Sequence, residues 1–277
     1  METHIVVSGV RSPVLDTGPA GSAEAIVFVH GSPGDAADWQ DLMSKVGGFA
    51  RTVALTMPGY GGADKPADFQ YTTDGYARHL GGALRELGIS RMHLVAHDLG
   101  VAWGLAWAAA DTSALGSLTM MDLGALPGYR WHRYARTYRR PILGELLLRL
   151  ANRRAVESAI KAGSRHAIPA EFIDRAVKVY ADAASRRAIL SYYRATNLAD
   201  DTVRVATTLA NANPQTLVVW GGGDPYVPVS YAQLQKTFFA RARVAVLPDS
   251  GHWPFIDDPA GVAAEVVPFL RGQVSPN

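Results

Sequence analysis

The feature that most constrains the fold of this chain is an alternation between short apolar runs and longer segments with helical periodicity. Apolar runs of this length suit strands that are buried on both faces, and crossover helices connect such strands. The pattern therefore predicts an α/β fold with a mostly parallel sheet. The predicted parallel strands are residues 25–30, 52–56, 92–96, 118–122, 216–220 and 244–247, and residues 1–16 are expected to add one or two antiparallel edge strands.

One long segment interrupts this alternation. Between the strands predicted at 118–122 and 216–220, residues 126–210 show helical patterns and no convincing strand. We expect this segment to form a helical cap over the carboxyl ends of the strands, where open α/β sheets bind ligands. The predicted domains are a core of residues 1–125 and 211–277 and a cap of residues 126–210 inserted after the sixth strand.

Charge is distributed unevenly along the chain. The whole chain carries a formal net charge of +2, but residues 129–166 hold nine Arg, one Lys and two Glu, a net charge of +8. This excess predicts a solvated helix face in the cap, and it leaves open the steering of an anionic substrate or contact with a second subunit. A homodimer formed through the cap is one expectation from this pattern.

The composition limits the available chemistry. The chain has no cysteine, which excludes disulfides, thiolate nucleophiles and cysteine-ligated zinc. The first residues lack the pattern of a signal peptide, and no apolar run reaches the length of a membrane span. We therefore expect a cytoplasmic protein that acts on a small molecule, with no nucleic-acid or membrane partner and with no metal or cofactor.

The most specific chemical signal is the turn around Asp98. A β-rich run ends at His97, and a helix rich in small residues follows Asp98. Ala96 and Gly100 complete the pattern small–X–nucleophile–X–small of a nucleophile elbow, in which a sharp turn leaves no room for larger side chains. Aspartate is also a common helix N-cap, so this turn needs support from other groups.

A loop after the first long apolar run gives part of that support. His30, Gly31 and Ser32 follow the strand predicted at 25–30. We expect the backbone N–H groups of Ser32 and Leu99 to form an oxyanion hole.

The remaining support comes from a late histidine. His252 follows the last predicted strand and is the candidate base, in the chain order nucleophile, acid, histidine. The acid has two candidates. Asp224 follows the strand predicted at 216–220 and is favoured, while Asp122 ends the preceding strand.

These blocks resemble those of the α/β-hydrolase superfamily over nearly the whole chain. The matching blocks, in order, are residues 30–33, 57–66, 97–100 and 251–254. The resemblance implies the α/β-hydrolase fold, with a mostly parallel eight-stranded sheet, flanking helices and an inserted helical cap. Asp98 at the elbow narrows the resemblance to the epoxide hydrolase and haloalkane dehalogenase branch. That branch forms an alkyl-enzyme ester on aspartate, which a histidine-activated water then hydrolyses.

Stabilisation of the leaving group separates the members of this branch. Haloalkane dehalogenases commonly hold the halide with a tryptophan directly after the nucleophile, and an asparagine often follows the His-Gly of the oxyanion loop. This chain has Leu99 and Ser32 at those positions. The resemblance is therefore closer to epoxide hydrolases.

Epoxide hydrolases use two cap tyrosines, which donate hydrogen bonds to the epoxide oxygen. The block around Tyr193 resembles the one that carries one of them, and Tyr138 or Tyr134 is the candidate for the second. Their spacing predicts that Trp131, Tyr134 and Tyr138 share one helical face, which is also typical of simple cap packing. His30 is expected to border the substrate as well.

The leading hypothesis is an epoxide hydrolase-like enzyme with an ester on Asp98 that is hydrolysed by His252-activated water. A second hypothesis is a biosynthetic enzyme that uses Asp98 and His252 for another reaction on a large metabolite, with Asp98 as a base. A haloalkane dehalogenase with different halide donors and a binding protein without turnover are also compatible with these residues. An ordinary serine hydrolase is disfavoured because residue 98 is not serine.

Overall fold

The computed structural model describes residues 2–19 and 21–275. One sheet runs through it, in the order β1-β2-β4-β3-β5-β6-β7-β8. β1 and β2 pair antiparallel, as do β2 and β4, and the remaining neighbours are parallel, so the predicted mostly parallel eight-stranded sheet is confirmed. The strands are β1 (Glu2–Val7), β2 (Val10–Thr17), β3 (Glu24–Val29), β4 (Arg51–Leu55), β5 (Arg91–His97), β6 (Leu115–Met121), β7 (Thr216–Gly221) and β8 (Ala242–Leu247).

Helices cover both faces of this sheet, as parallel strands require. The helices of the sheet layers are α1 (Gln40–Val46), α2 (Thr73–Glu86), α3 (Leu99–Ala110), α10 (Ser230–Leu234), α11 (Pro254–Asp257) and α12 (Pro259–Arg271). The helices between β6 and β7 are α4 (Arg133–Tyr138), α5 (Leu143–Arg149), α6 (Arg153–Ala162), α7 (Ala170–Ala181), α8 (Ala183–Ala195) and α9 (Leu198–Ala210).

The alternation of side chains along β3 shows how the core is divided. Val27 and Val29 point into a core layer shared with α2 and α3, while Ile26 and Phe28 point into a layer shared with α1 and α12. All four side chains are fully buried. A strand with period-two alternation and apolar residues at every position can pack helices on both faces, which is why its sequence reads as a continuous apolar run.

The segment between β6 and β7 contains only helices among its described residues. Helices α4 to α8 pack on one another, whereas α9 packs on α3 of the sheet layer. The division into a core and a cap at residues 126 and 210 stays a prediction. None of the described helices is both long and apolar enough to span a bilayer.

Two predicted helices differ in detail from the structure. The helical periodicity of residues 229–239 predicts one continuous helix, whereas the structure has the short α10 followed by a 3-10 turn, Gln235–Thr237. The buried Gln235 side chain exchanges hydrogen bonds with the backbone of Ala125 at 2.8 and 2.9 Å, a tertiary constraint that periodicity does not reveal. The aromatic stripe expected on one helix is also interrupted, because α4 begins at Arg133 and Trp131 precedes it.

Candidate active site

Asp98 lies in a sharp turn between β5 and α3. Its φ is +49°, a left-handed conformation that residues other than glycine rarely adopt. A Cβ on Gly100 would lie 2.4 Å from the carbonyl oxygen of His30 and 2.5 Å from that of Val29. Backbone atoms cannot move aside, so a glycine is required where α3 begins this close to β3. The turn therefore presents the Asp98 carboxylate at the carboxyl end of the sheet.

The two oxygens of the Asp98 carboxylate have different surroundings. Oδ1 accepts a hydrogen bond from the backbone N–H of Ser32 at 2.9 Å, and Oδ2 lies 3.6 Å from Nε2 of His252. Burial raises the pKa of Asp98 above its ordinary range, while His252 and the backbone N–H groups of Leu99 and Ser32 oppose that shift. One oxygen is thus held by a backbone donor, and the second faces the imidazole.

The carboxylate of Asp224 orients the ring of His252. Its Oδ2 accepts a hydrogen bond from Nδ1 of His252 at 2.8 Å. Its Oδ1 accepts from the backbone N–H groups of Tyr226 and Val227 at 2.7 and 3.1 Å. Burial lowers the pKa of His252, but the charge and hydrogen bond of Asp224 and the charge of Asp98 outweigh this, so the pKa is raised overall. The structure therefore brings Asp98, His252 and Asp224 together.

Asp122, the second candidate for the acid, makes no ion pair with His252 among the described residues. Its Oδ1 accepts a hydrogen bond from the backbone N–H of Gly221 at 2.8 Å, and its Oδ2 has no partner in the described part of the chain. Burial, followed by the charge of Asp224, raises the pKa of Asp122 well above its ordinary range. Asp122 therefore favours the neutral acid, which cannot stabilise an imidazolium.

His97 fixes the loop of the candidate base, a role that the sequence did not reveal. Its Nε2 donates a hydrogen bond to the backbone carbonyl of His252 at 2.6 Å, and the two rings are 4.9 Å apart. The N–H of His252 donates to the carbonyl of Gly163 at 2.7 Å. The backbone carbonyl of His252 is thus held by His97 at the end of β5, and its backbone N–H is held by Gly163, which directly follows α6.

His30 supports the oxyanion loop from below. Its Nδ1 donates to the carbonyl of Gly31 at 2.7 Å, and its Nε2 accepts from the backbone N–H of Met57 at 3.0 Å. It is buried and absent from the cavity wall described below, so the structure does not bring it to the expected substrate position. Its two bonds hold the loop that points the Ser32 N–H at Asp98.

A cavity of about 190 Å³ lies between Asp98 and the helices α4 to α8. Among the described residues no Lys or Arg lines it, and Asp98 is its only acidic residue. The excess of arginine in this part of the chain therefore does not reach the candidate reaction centre. The aromatic residues in its wall are Tyr129, Trp131, Tyr134, Tyr138, Tyr180, Tyr193, Tyr226 and Trp253.

All three tyrosines predicted as substrate contacts reach this cavity. Tyr193 is 5% exposed, and burial, together with the charge of Asp98, raises its pKa well above the ordinary range. Burial raises the pKa of Tyr138 to about 12, although a hydrogen bond with Tyr180 opposes the shift. Both phenols therefore stay protonated and can donate hydrogen bonds. The hydroxyl of Tyr134 already accepts a hydrogen bond from Arg133 at 2.8 Å.

Sequence reasoning missed two further residues of the wall, His132 and Tyr226. Nδ1 of His132 is buried without a partner among the described residues, and burial lowers the pKa of this ring to about 4. Tyr226 packs its ring edge-on against His252, with the centroids 4.9 Å apart. Its position two residues after Asp224 was a signal that could have found it. His132 lies in an irregular segment before α4, so no periodicity marks it.

Among the residues that the structure describes, no group of three or more His, Cys, Asp or Glu could hold a metal ion. The sheet order, the elbow and the late histidine define a hydrolase of the α/β class. A family model described as alpha/beta hydrolase fold matches residues 24–259. The chain therefore belongs to the α/β-hydrolase family.

Individual relatives differ in the reactions that their names describe. A 2-hydroxymuconate semialdehyde hydrolase from Pseudomonas sp. (strain CF600) is 26% identical over 96% of this chain and 93% of its own. Epoxide hydrolase 3 from Xenopus tropicalis is 23% identical over 97% of this chain and 74% of its own. The crystal structure of the haloalkane dehalogenase DbeA from Bradyrhizobium elkani USDA94 superimposes with a TM-score of 0.86 at 24% identity, covering 98% of each chain. That likeness shows the fold.

Proposed function

We propose that this chain is an epoxide hydrolase. The observation that carries the proposal is the pair of environments at Asp98, where Ser32 holds Oδ1 and Oδ2 lies 3.6 Å from the imidazole of His252. In the first step Oδ2 attacks an epoxide carbon, and the ring C–O bond breaks. The ring oxygen takes a proton from Tyr193, which leaves a hydroxyalkyl ester on Asp98.

His252 drives the second step. Its Nε2 takes a proton from water, and the water oxygen attacks Cγ of the Asp98 ester. Negative charge develops on Oδ1, where the N–H of Ser32 already donates. The N–H of Leu99, the first residue of α3, is free of helix bonds and can donate as well. The ester C–O bond then breaks, and the leaving oxygen of the diol takes the proton from His252. Asp98 is left as a carboxylic acid that carries the water-derived O–H, and loss of this proton, which balances the one that Tyr193 gave up in the first step, restores both the Asp98 carboxylate and the Tyr193 phenol.

The cavity wall supports an epoxide as the substrate. An epoxide oxygen leaves as an alkoxide, so ring opening needs a hydrogen-bond donor, and the protonated phenols of Tyr193 and Tyr138 supply this type of group. The wall has no Lys or Arg among its described residues. It therefore favours an uncharged, largely apolar epoxide.

Haloalkane dehalogenation is the second candidate, because two indoles line the same cavity. Trp131 and Trp253 are both in the wall, and an indole N–H is the kind of donor that a departing halide requires. Leu99 and Ser32 still occupy the positions where the resemblance associates dehalogenases with tryptophan and asparagine. This departure is why epoxide hydrolysis is preferred.

The test is intact-mass spectrometry of the His252→Gln variant after incubation with styrene oxide or with 1-bromohexane. An epoxide is added whole, so the expected adduct has the protein mass plus the full mass of styrene oxide. A bromoalkane adds its mass less that of HBr. Peptide mapping should place the adduct on Asp98, and the double variant that adds Asp98→Asn should show none.

The outcomes separate the candidates. An adduct from the bromoalkane alone would replace the proposal with dehalogenation. Diol formation by the wild type without any adduct in His252→Gln would contradict the ester mechanism and favour the biosynthetic hypothesis, in which Asp98 acts as a base. Absence of both diol and adduct over a panel of epoxides would overturn the proposed function.

A further inference from the structure

Helix α5 exposes an apolar stripe to solvent. Leu143, Leu146, Leu147 and Leu150 follow the spacing i, i+3, i+4, i+7, so they lie on one face of the helix. Their exposed fractions are 47, 50, 36 and 66%. Together with Ile142, which is 78% exposed, they form what we call the leucine face. An amphipathic helix normally turns such a stripe inward, so a continuous exposed one indicates an interaction surface.

The opposite side of α5 is already packed. Gly144 and Leu148 are buried, and α5 contacts α4, α7 and α8. Gly144 has a Cβ position 2.7 Å from the carbonyl oxygen of Tyr138, so this side of the helix sits tightly on its neighbours. The leucine face is therefore not a misplaced core face, because the helix has a separate inner side that meets the rest of the fold.

The backbone at the tip of this face is strained. Ile142 has a φ of +71°, which is a rare conformation for a β-branched residue. The side chain gains little from packing in the chain itself, since it is 78% exposed. Backbone strain of this kind lowers the free energy of unfolding. Because the Ile142 side chain is exposed, its packing within the chain offsets little of that cost. Ile142 does extend the leucine face outward by one residue.

Many arginines lie close to the leucine face along the chain. Residues 136–154 contain six Arg and one Glu, a net charge of +5. The single acid, Glu145, is paired with Arg194. Four arginines of this stretch, which we call the rim arginines, are exposed and make no ion pair among the described residues: Arg136, Arg140, Arg149 and Arg154. An exposed apolar stripe accompanied by unpaired arginines is the pattern of a helix that lies on a membrane surface. Its apolar side chains enter the acyl region, and its cations meet anionic lipid headgroups.

The leucine face is continuous with the candidate active site. Leu147 and Leu150 line the cavity above Asp98, and both belong to the exposed leucine face. Leu148, between them, is buried and lines the cavity as well. An apolar molecule that enters along this face would meet leucine side chains from the outer surface to the cavity.

We propose that the leucine face docks on a membrane surface rich in anionic lipids, so that the cavity opens toward the lipid. Leucine side chains would enter the acyl boundary, and the rim arginines would pair with lipid phosphates. A second copy of this chain is a poorer occupant, because two-fold symmetry would bring the two arginine rims against each other. The expectation of no membrane partner rested on the lack of a spanning segment, which does not bear on surface binding.

The test is co-sedimentation of the full chain with vesicles, which requires no turnover and is thus independent of the proposed reaction. The probes are phosphatidylcholine vesicles and phosphatidylcholine vesicles with about 30% phosphatidylglycerol. We expect binding to the second kind and little to the first, with weakening in about 0.5 M NaCl. No binding to the anionic vesicles at low salt, or equal binding to both kinds, would overturn the proposal.

Variants locate the contact. Leu143→Ser with Leu146→Ser, neither of which lines the cavity, should weaken vesicle binding on the order of tenfold per site. Arg149→Gln and Arg154→Gln should each cost about fivefold. The matched controls are Leu234→Ser, at 39% exposure, and Arg85→Gln, an exposed arginine without an ion pair among the described residues, and both should bind as the wild type does.

A third measurement identifies a competing occupant. Analytical ultracentrifugation of the wild type and the double leucine variant reports whether a second copy covers the face. A dimer that the leucine substitutions dissociate, with no vesicle binding, would overturn the membrane assignment in favour of the homodimer expected from the cap charge. Equal vesicle binding by the leucine variant and its Leu234→Ser control would show that the contact lies elsewhere, which also contradicts the proposal.

Discussion

Replacing Asp224 by asparagine should stop the second half of the reaction and leave the first half intact. The reason lies in the two backbone N–H groups that reach Oδ1 of Asp224, from Tyr226 at 2.7 Å and Val227 at 3.1 Å. In Asp224→Asn these donors require the amide oxygen at that position, since an NH₂ group there would face two further donors. The amide nitrogen then points at Nδ1 of His252, which lies 2.8 Å from the oxygen it replaces.

This orientation selects the wrong tautomer of His252. With an NH₂ group facing it, Nδ1 must accept, and the proton moves to Nε2, which can then no longer take a proton from water. A carboxylate-to-amide change of this type costs about 10⁴-fold in a hydrolytic triad, or roughly 5.5 kcal/mol of barrier. Alkylation of Asp98 needs no base, so its rate should change far less, and the ester should accumulate.

The assay is single-turnover kinetics with styrene oxide, following ester formation by quenched intact mass and diol release by chromatography. Asp122→Asn is the matched control, because the neutral acid favoured at Asp122 resembles an amide in shape and charge and its bond to Gly221 can persist. We expect diol release within about threefold of the wild type for this control. The reasoning is refuted if ester hydrolysis in Asp224→Asn slows less than about tenfold, or if Asp122→Asn is the slower variant.

Three further predictions follow from the same geometry. Tyr193→Phe should slow alkylation by about 100-fold at unchanged thermal stability, and an unchanged rate would mean that this phenol only packs. The pKa of His252 in the free enzyme should lie above the ordinary 6.5, because the charges of Asp224 and Asp98 outweigh burial, and NMR titration of the ring from about pH 5 to 9 checks this, a value below 6.5 contradicting the raised pKa. Gly100→Ala should lower the free energy of unfolding by about 3 kcal/mol. Gly104→Ala should lower it less, because the new Cβ at Gly104 would meet the Leu94 side chain, whereas the one at Gly100 would meet backbone atoms. Equal melting temperatures of the two variants would refute this.

Much of the sheet could be predicted because it depends on local properties of the chain. The apolar runs marked β3, β5 and β7 within one residue at either end, since strands buried on both faces need apolar side chains at every position. The nucleophile elbow could also be predicted from the sequence. Gly100 and Ala96 flank Asp98 in the sequence, so the pattern of the turn is local, although the atoms that exclude a Cβ at Gly100 belong to His30 and Val29 at the end of β3.

The helical segment between β6 and β7 was predicted less completely. Tyr193, Tyr138 and Tyr134 all reach the cavity, but Trp131 lies before α4 instead of on it, and the helical periodicity alone did not predict this. His132 reaches the same wall from an irregular segment, and no pattern in its neighbours marks it. Periodicity indicates which face of a helix is apolar, but it does not say which residues of a loop turn inward.

What the sequence determined by itself is the α/β class, the elbow with Asp98 and the order of the candidate groups, because each depends on residues that are adjacent along the chain. Only the tertiary structure decided which acid faces His252. Asp122 and Asp224 follow neighbouring strands, so both lie at the same edge of the sheet, and their sequence contexts are alike. The loop after β7 aims Asp224 at the imidazole, whereas the Asp122 carboxyl is buried against the backbone N–H of Gly221. That choice depends on the directions of two loops in space, which no local pattern encodes.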